Sequence, residues 1–430
     1  MKRTLIFLLF CAMVLFNVGT APAEMVPIPA EWIASGDYYY VIQEDGTAAI
    51  VGFNTTTGHS GISGTLEFPA ELDGLSVTKI NYLGLKGDAE EVIVPEGVTI
   101  LADYAFYHWS NLESISLPST LTDVGDGALY LTKCSSIHIT EGNNALEEIG
   151  GMLINRKDGK LVYAPVSLEG SIAVPDGVQT IGASAFSGCS RITEIKLPET
   201  LTAIRDYAFS GCFGIREPLV IPAGVSEFGD GVFQNAMTIL KQDTDGKSYY
   251  DSIPLILEEG NQSLKMADKA LIDNNNHRLV YLNDRARRGS YMIPDGTEEI
   301  AACAFWSCNL LESIIIPETV TKIGQEAFMN CHNLTEIKLP SILVEIGDDA
   351  FAACSGLESV TIPDSVTTIG SKAFSQCRNL QSVYVGTGVD SIGVNCFMSD
   401  PVLTEVKVPA GLLLDKDILG GGSNAVITRY

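Results

Sequence analysis

Basic residues are scarce in this sequence, histidines are few, and only one long apolar run is present, at the start. Lys and Arg together number 27 against 53 Asp and Glu, which gives a formal net charge of −26 at pH 7. An acidic surface of this kind repels phosphate backbones and anionic headgroups. The composition therefore predicts a protein that binds no nucleic acid and that does not insert into a membrane once its first segment is removed.

That first segment has the three parts of a secretory signal peptide. Basic Lys2 and Arg3 precede an apolar run from Leu5 to Val18, and Ala21-Pro22-Ala23 follows as a cleavage site. The apolar run is too short to span a bilayer comfortably. We therefore expect residues 1–23 to be removed and the remainder to be secreted, as an extracellular protein or one associated with the cell surface.

No constellation of catalytic or metal-binding residues can be assembled from the sequence. The five histidines are scattered, and no two of them have metalloprotease spacing. The carboxylates are spread over solvent-facing positions of a repeat, which indicates solvation and not an acid/base pair. The sequence predicts no catalytic residue, no metal and no cofactor, and it disfavours a secreted hydrolase without excluding one.

What the sequence does have is a 23-residue repeat, whose markers are Phe305, Phe328, Phe351, Phe374 and Phe397, with Pro294, Pro317, Pro340 and Pro363. A fixed period of about 20–29 residues is typical of leucine-rich-repeat solenoids. Within one unit, Ile337 and Leu339 alternate with Glu336 and Lys338, as inward and outward residues of a strand do. We predict a repeat solenoid with a long parallel β-sheet on one face and irregular or short helical turns on the other.

Breaks in the period divide the chain. Two segments with an apolar hairpin pattern, offset by 118 residues, interrupt the repeats and indicate a duplicated block. The predicted parts are the signal peptide 1–23, an N-terminal capping hairpin in 24–68, the solenoid 69–410 and a C-terminal cap in 411–430. Within the solenoid we predict hairpin insertions at about 146–174 and 266–293 and an irregular protruding loop at 234–265.

The repeat resembles the BspA-like leucine-rich repeats of bacterial and protist surface proteins. The resemblance rests on units of the form Ile-Gly-x-x-Ala-Phe-x-x-Cys-x-x-Leu-x-x-Ile-x-Leu/Ile-Pro at 323–340, 346–363 and 369–385, and it extends over residues 37–410. Members of that family are typically secreted or displayed at the surface, and some adhere to host proteins or to other microbes. The resemblance therefore implies a binding role outside the cell.

Cysteines recur in the same slot of the repeat, at Cys189, Cys212, Cys308, Cys331, Cys354 and Cys377. Neighbouring thiols of such a ladder point the same way, so they neither face each other for disulfides nor converge on a metal. We expect a row of buried thiols that pack as small apolar side chains. Cys303 lies outside the slot, and we expect it to be the exposed thiol.

The outer face of the parallel sheet is the surface left for binding. Its central row is predicted to include Lys196, Ile315, Lys338, Thr361, Tyr384 and Lys407. Ile315 and Tyr384 place apolar bulk where solvent-facing residues are expected, which indicates a contact surface. The lysines favour an acidic or polar partner. A second basic feature, the cluster Arg285, Arg287 and Arg288, is interpreted either as a docking spot for an acidic partner or as a solvated loop.

These features predict a binding or adhesion protein whose partner is an extracellular protein or glycan. The alternatives are a structural component of a surface layer and, less favoured, a secreted hydrolase. The sequence leaves the oligomeric state open.

Overall fold

The computed structural model describes residues 31–54, 63–83, 87–236, 240–242, 248–250, 252–414, 417–420 and 425–430. The predicted signal peptide lies outside these residues. The described part consists of β-strands and turns and contains no helix. Accordingly, it offers no helix that is long and apolar enough to cross a membrane.

The strands fall into three consecutive blocks. The first block has β1 (Ile33–Ser35), β2 (Tyr38–Ile42), β3 (Ala48–Phe53), β4 (Gly64–Glu67), β5 (Glu71–Leu72), β6 (Leu75–Ile80), β7 (Ala89–Ile93), β8 (Ile100–Leu101), β9 (Ser114–Leu117), β10 (Asp123–Val124) and β11 (Ser136–Ile139). The second has β12 (Leu146–Ile149), β13 (Met152–Asn155), β14 (Lys160–Tyr163), β15 (Gly170–Ala173), β16 (Thr180–Ile181), β17 (Ile192–Lys196), β18 (Ala203–Ile204), β19 (Leu219–Ile221), β20 (Glu227–Phe228), β21 (Leu240–Gln242), β22 (Ser248–Tyr250) and β23 (Leu255–Leu257). The third has β24 (Leu264–Ala267), β25 (Ala270–Asp273), β26 (Arg278–Leu282), β27 (Gly289–Met292), β28 (Glu299–Ile300), β29 (Leu311–Ile315), β30 (Lys322–Ile323), β31 (Glu336–Lys338), β32 (Glu345–Ile346), β33 (Ser359–Ile362), β34 (Thr368–Ile369), β35 (Ser382–Val385), β36 (Ser391–Ile392), β37 (Glu405–Val408) and β38 (Val426–Arg429).

Each block opens with three antiparallel strands and continues as a parallel ladder. The openings are β1–β2–β3, β12–β13–β14 and β24–β25–β26. The last strand of each opening pairs in parallel with the first of a series of short strands, most of them two residues long, which form the short-strand face. The N-terminal segment is thus built like the two internal hairpin segments, and the described residues form three such blocks.

The opposite side carries the longer parallel strands, which we call the long-strand face. It comprises β4, β7, β9 and β11 in the first block, β15, β17, β19 and β23 in the second, and β27, β29, β31, β33, β35, β37 and β38 in the third. The predicted repeat solenoid with a parallel sheet on one face is confirmed. Where irregular or short helical turns were expected, the described residues have irregular turns and the short-strand ladder.

Close stacking of the rungs sets the composition of each repeat. The rings of Phe305, Phe328, Phe351 and Phe374 lie nearly parallel, with centroids 4.8 to 5.1 Å apart, close to the spacing of hydrogen-bonded strands. Gly324 follows β30 where a Cβ atom would stand 2.6 Å from the backbone nitrogen of Ala302 in the preceding rung. Glycine is therefore required here for close approach of two backbones.

The turn around each Phe contains two residues in the left-handed conformation. In the unit of Phe328 these are Glu326 (φ 54°) and Asn330 (φ 63°), two residues before and after the ring. A left-handed non-glycine residue costs about 1–2 kcal/mol. The stacked rings and the hydrogen bonds between successive turns offset this cost, for example Phe328 N–H to the Ala350 carbonyl at 2.8 Å.

The two internal hairpins divide the hydrophobic core into three parts. Hairpin β13–β14 is buried on both sides, with Leu153 and Val162 in the core of the first block and Ile154 and Leu161 in that of the second. Hairpin β25–β26 does the same between the second and third blocks. These hairpins are therefore partitions inside the solenoid.

The described residues of segment 234–265 do not form a simple loop. Strands β21 and β22 pair as a hairpin, and β23 returns to the long-strand face and pairs in parallel with β19. At the other end, β38 adds a parallel strand next to β37 and closes the sheet within the described residues.

The nine cysteines of the described part are free and buried. Four thiols of the predicted row lie against the Phe carbonyl of the preceding rung: Cys212 to Phe186 at 3.2 Å, Cys331 to Phe305 at 3.1 Å, Cys354 to Phe328 at 3.1 Å and Cys377 to Phe351 at 3.2 Å. The thiols therefore act as hydrogen-bond donors as well as apolar filling. Burial raises the pKa of each of these four thiols well above its ordinary value.

The prediction that Cys303 is exposed is wrong. Cys303 occupies the left-handed position two residues before Phe305 (φ 58°), and only 3% of it is exposed. Its Sγ lies 3.8 Å from a carboxylate oxygen of Glu326, which takes the same position in the next rung. Side chains at this position cover one another from rung to rung, which the spacing of the sequence does not reveal.

Candidate binding surface

The six residues predicted from the sequence all lie exposed on the long-strand face. Ile315 pairs in register with Lys338, and Thr361, Tyr384 and Lys407 are in register on three successive strands. Lys196 lies in the second block, in register with Ala173. The six thus share one outward-facing column, though Lys196 is separated from the others by several rungs. Their role in binding remains a prediction.

The structure adds Met292 to this column in the third block, and it shows a second exposed apolar pair on the same face in the second block. Val220 pairs with Ile256 across β19 and β23, and Met292 pairs with Ile315 across β27 and β29. Their exposed fractions are 43%, 48%, 61% and 51%. We call these four residues the apolar column. Its members are large aliphatic side chains on a sheet face that elsewhere presents mainly polar and charged ones, such as Ser290 and Glu336.

Two of the predicted lysines are already paired. The ammonium group of Lys196 lies 3.6 Å from a carboxylate oxygen of Glu194, and that of Lys407 lies 3.4 Å from Glu405. Both acids belong to the same strands and the same face. These ion pairs weaken the argument that Lys196 and Lys407 attract an acidic partner, which stays a prediction.

Tyr384 is also engaged within the chain. Its ring stacks on that of Tyr430 with centroids 5.0 Å apart and an interplanar angle of 20°. The Tyr430 hydroxyl donates a hydrogen bond to the Val385 carbonyl at 2.7 Å, which holds the second ring in place. The aromatic bulk at this position is therefore accounted for by the C-terminal residues, and Ile315 is the stronger of the two apolar positions predicted from the sequence.

The arginine cluster does not form an open basic patch. Arg285 is buried (1% exposed) and its guanidinium lies over the ring of Trp306, 5.4 Å from the centroid. Arg287 pairs with both Asp268 and Asp284, at 2.8 and 3.0 Å. These contacts argue against a docking spot for an acidic partner at these two side chains.

Ionisable side chains form no candidate metal site in the described ranges. Groups of three or more His, Cys, Asp or Glu side chains that could hold a metal ion are absent there. Burial raises the pKa of Asp349 to about 7 and that of Asp400 to about 8. Asp400 is completely buried, so its shifted pKa reflects burial in the core and gives no access to a substrate.

Sequence reasoning missed three of the four residues in the apolar column, for different reasons. Met292 precedes Ile315 by 23 residues and could have been found by extending the column one rung. Val220 stands two residues before Pro222, as Ile315 stands two before Pro317, and could have been found in the same way, whereas Ile256 lies in segment 234–265, where the period breaks. Only the pairing of β23 with β19 aligns them.

A solenoid of short repeats with a parallel sheet on one face is the architecture of a leucine-rich-repeat protein. The sequence model of the BspA type leucine rich repeat region matches the chain with six copies, over residues 84–153, 162–245 and 296–415. The chain therefore belongs to the BspA-type leucine-rich-repeat family, as the sequence resemblance indicated. That family consists of non-enzymatic repeat proteins.

Several solved structures are similar to this chain. A leucine rich cell surface protein from Faecalibacterium prausnitzii is 23% identical, with 89% of this chain and 95% of that one covered and a TM-score of 0.51. The pneumococcal vaccine antigen PcpA is 20% identical, with 87% of each chain covered and a TM-score of 0.48. A leucine-rich repeat protein from Eubacterium ventriosum is 18% identical, with 92% and 95% covered and a TM-score of 0.42. No curated protein sequence matches the chain.

Proposed function

We propose that this chain is a secreted or surface-displayed binding protein that holds an extracellular protein on its long-strand face. The observation that supports this is the apolar column, Val220, Ile256, Met292 and Ile315, with exposed fractions of 43% to 61%. Neighbouring exposed apolar side chains mark interaction sites. Each is about half exposed, so completing its burial in a complex contributes on the order of 1 kcal/mol.

Charge favours a neutral or basic partner surface. The chain has a formal net charge of −26, and Lys196 and Lys407 are paired with acids of the same face. Exposed Glu258 follows Ile256, and exposed Glu312 lies in the same strand as Ile315. Opposite charges at the rim speed encounter and exclude like-charged partners.

The test is a binding screen with residues 24–430 against extracellular matrix proteins and microbial surface proteins of basic and acidic charge. The decisive variant is Met292→Ser with Ile315→Ser. We expect the wild-type chain to prefer basic proteins and the variant to bind them at least tenfold more weakly.

A matched control changes two other exposed aliphatic residues, Ile342 and Val344, which are 46% and 42% exposed and lie outside the long strands. Ile342→Ser with Val344→Ser should leave binding unchanged. The binding site would lie elsewhere if both double variants lost binding equally. It would also lie elsewhere if Met292→Ser with Ile315→Ser bound as well as the wild-type chain. Filaments or oligomers of the wild-type chain with no foreign partner would favour the structural surface-layer alternative.

A further inference from the structure

A cleft opens on the short-strand face where the first block meets the second. Its volume is about 480 Å³, and it is lined by Asp126, Asp158, Lys160, Thr180, Arg205 and Asp206. This volume is within the range of about 300–1,000 Å³ that is usual for small-molecule sites. The cleft is separate from the long-strand face and from the apolar column.

The second junction between blocks carries a different side chain beside the equivalent ion pair. At the first junction Lys160 pairs with Asp126 at 3.1 Å, and at the second Arg278 pairs with Asp230 at 2.7 Å. The residue in register with Lys160 is Thr180, whereas the residue in register with Arg278 is Glu299. Of these two residues threonine has the shorter side chain and carries no charge.

The lining combines hydrogen-bond acceptors and donors, and its three carboxylates outnumber its two basic groups by one. Carboxylates of Asp126, Asp158 and Asp206 accept, while Lys160 and Arg205 donate. Lys160 is neutralised by Asp126, and Arg205 by Glu227 at 2.6 Å, so an anion gains little here. A metal cation would have to displace both basic groups. A neutral ligand rich in hydroxyl groups matches both kinds of partner.

Tyrosine rings of the first block lie next to one lining residue of the cleft, Asp126. The ring of Tyr104 lies over Gly127, the residue after Asp126, at 2.6 Å from where a Cβ would stand. Tyr107 packs edge-on against Tyr104 at 5.9 Å and tilted against Tyr130 at 5.4 Å. These rings are partly exposed. Such rings combine an apolar face with a polar hydroxyl, and the C–H face of a pyranose can stack on them.

We propose that this cleft binds one neutral sugar residue of a glycan, with an adjoining sugar stacked on the tyrosine group. The carboxylates and the two basic side chains bind the hydroxyls of the first sugar, and the rings of Tyr104 and Tyr107 contact the second. This site does not depend on the proposed use of the long-strand face, because the two share no residue.

The test uses purified protein and a fixed panel of neutral probes. The panel comprises glucose, galactose, mannose, fucose and N-acetylglucosamine, with disaccharides of each hexose, measured by saturation-transfer NMR and calorimetric titration. Thr180→Glu introduces the residue found at the second junction and should weaken binding at least tenfold. The control Thr368→Glu makes the same change in the corresponding column of β34 and should leave binding unchanged. Tyr107→Ala should weaken disaccharide binding severalfold and leave monosaccharide binding unaffected.

Arg205→Met, a surface change that removes only donors, replaces Thr180→Glu if that variant fails to fold. Loss of binding in either cleft variant but not in the control supports the proposal. Three outcomes overturn it: no neutral sugar of the panel binds at millimolar concentration, binding survives both cleft variants, or only sulfated or other acidic sugars bind.

Discussion

Asp400 takes the slot that cysteine takes in four successive rungs, at Cys308, Cys331, Cys354 and Cys377. It is fully buried, and neither carboxyl oxygen has a hydrogen-bond partner in the structure. Cys377, in the preceding rung, donates its thiol hydrogen to the Phe351 carbonyl. A protonated carboxylic acid can donate in the same way, whereas a carboxylate cannot. The slot therefore favours the neutral form.

The titration of Asp400 makes the protein less stable as pH rises. Burial raises its pKa in the folded state from 3.8 to about 8. Below pH 3.8 the acid is neutral in both the folded and the unfolded state, so it does not change the free energy of unfolding with pH. Between these two values the unfolded chain ionises while the folded one does not, so the free energy of unfolding falls as pH increases, and the loss is complete above the folded pKa. A tenfold difference in acid dissociation constant between the folded and unfolded states corresponds to about 1.4 kcal/mol.

Asp400→Asn removes this titration, so the free energy of unfolding should fall less steeply as pH rises. We expect the variant to be about as stable as wild type at pH 4 and more stable at pH 8.5 by a few kcal/mol, measured by urea unfolding at both values. Asp349, whose pKa is also raised, contributes a slope of the same sign to both proteins, so the difference isolates Asp400. Identical pH slopes for the two proteins would show that Asp400 is already ionised when folded.

At the scale of the element, the turns around Phe328, Phe351, Phe374 and Phe397 combine one glycine that allows close approach of two backbones with two left-handed positions that tolerate other residues. Ala353, two residues after Phe351, has φ 59°, and the same position is glycine at Gly188 and Gly211. Replacing it with glycine removes a left-handed penalty of about 1–2 kcal/mol at the expense of about 0.5–1 kcal/mol of chain entropy.

We therefore expect Ala353→Gly to be neutral or up to about 1 kcal/mol stabilising. Gly324→Ala should instead destabilise by about 1–3 kcal/mol, because the new methyl group meets the backbone of Ala302. Thermal and urea unfolding of the two variants provide the measurement. Destabilisation by both would mean that the turn is held by contacts of the Ala353 methyl group and not by its backbone conformation.

The sequence predicts these elements only in part. The 23-residue spacing of Phe328 and Phe351 is enough to predict the stacked rings and the long strands, because every rung repeats the same contacts. It does not predict pairs such as Lys322–Ile323 as strands, since two residues carry no alternation pattern and pair only through the neighbouring rung. The apolar run Met152–Ile154 does indicate burial on both sides, which a hairpin exposed on the surface would not have.

The candidate surfaces were less predictable than the fold. Ile315 could be found as apolar bulk at an outward position, but the stacking of Tyr384 on Tyr430 depends on where the last strand returns. The cleft depends on the meeting of two blocks, which brings Asp126 next to Lys160 from another part of the chain. Contacts of this kind lie outside any repeat and leave no periodic pattern.

For the whole molecule, the partitions decide whether the three blocks unfold together. Repeat arrays are coupled through the interfaces between neighbours. Here each partition contributes consecutive residues to two cores: in β25, Leu271 packs in the core of the second block and Ile272 in that of the third. Because one strand belongs to both cores, loss of packing on either side weakens the structure that supports the other.

Leu271→Ala and Ile272→Ala should each lower stability by about 2–5 kcal/mol, since both side chains are buried. If the partition couples the blocks, each variant will speed hydrogen exchange in both β16 and β18 of the second block and β30 and β32 of the third. Phe351→Ala, which lies well inside the third block, serves as the control and should act more strongly on its own block than on the second. If instead Leu271→Ala affects only the second block and Ile272→Ala only the third, the partitions separate independent folding units, because neighbouring residues of one strand would then report on different cores.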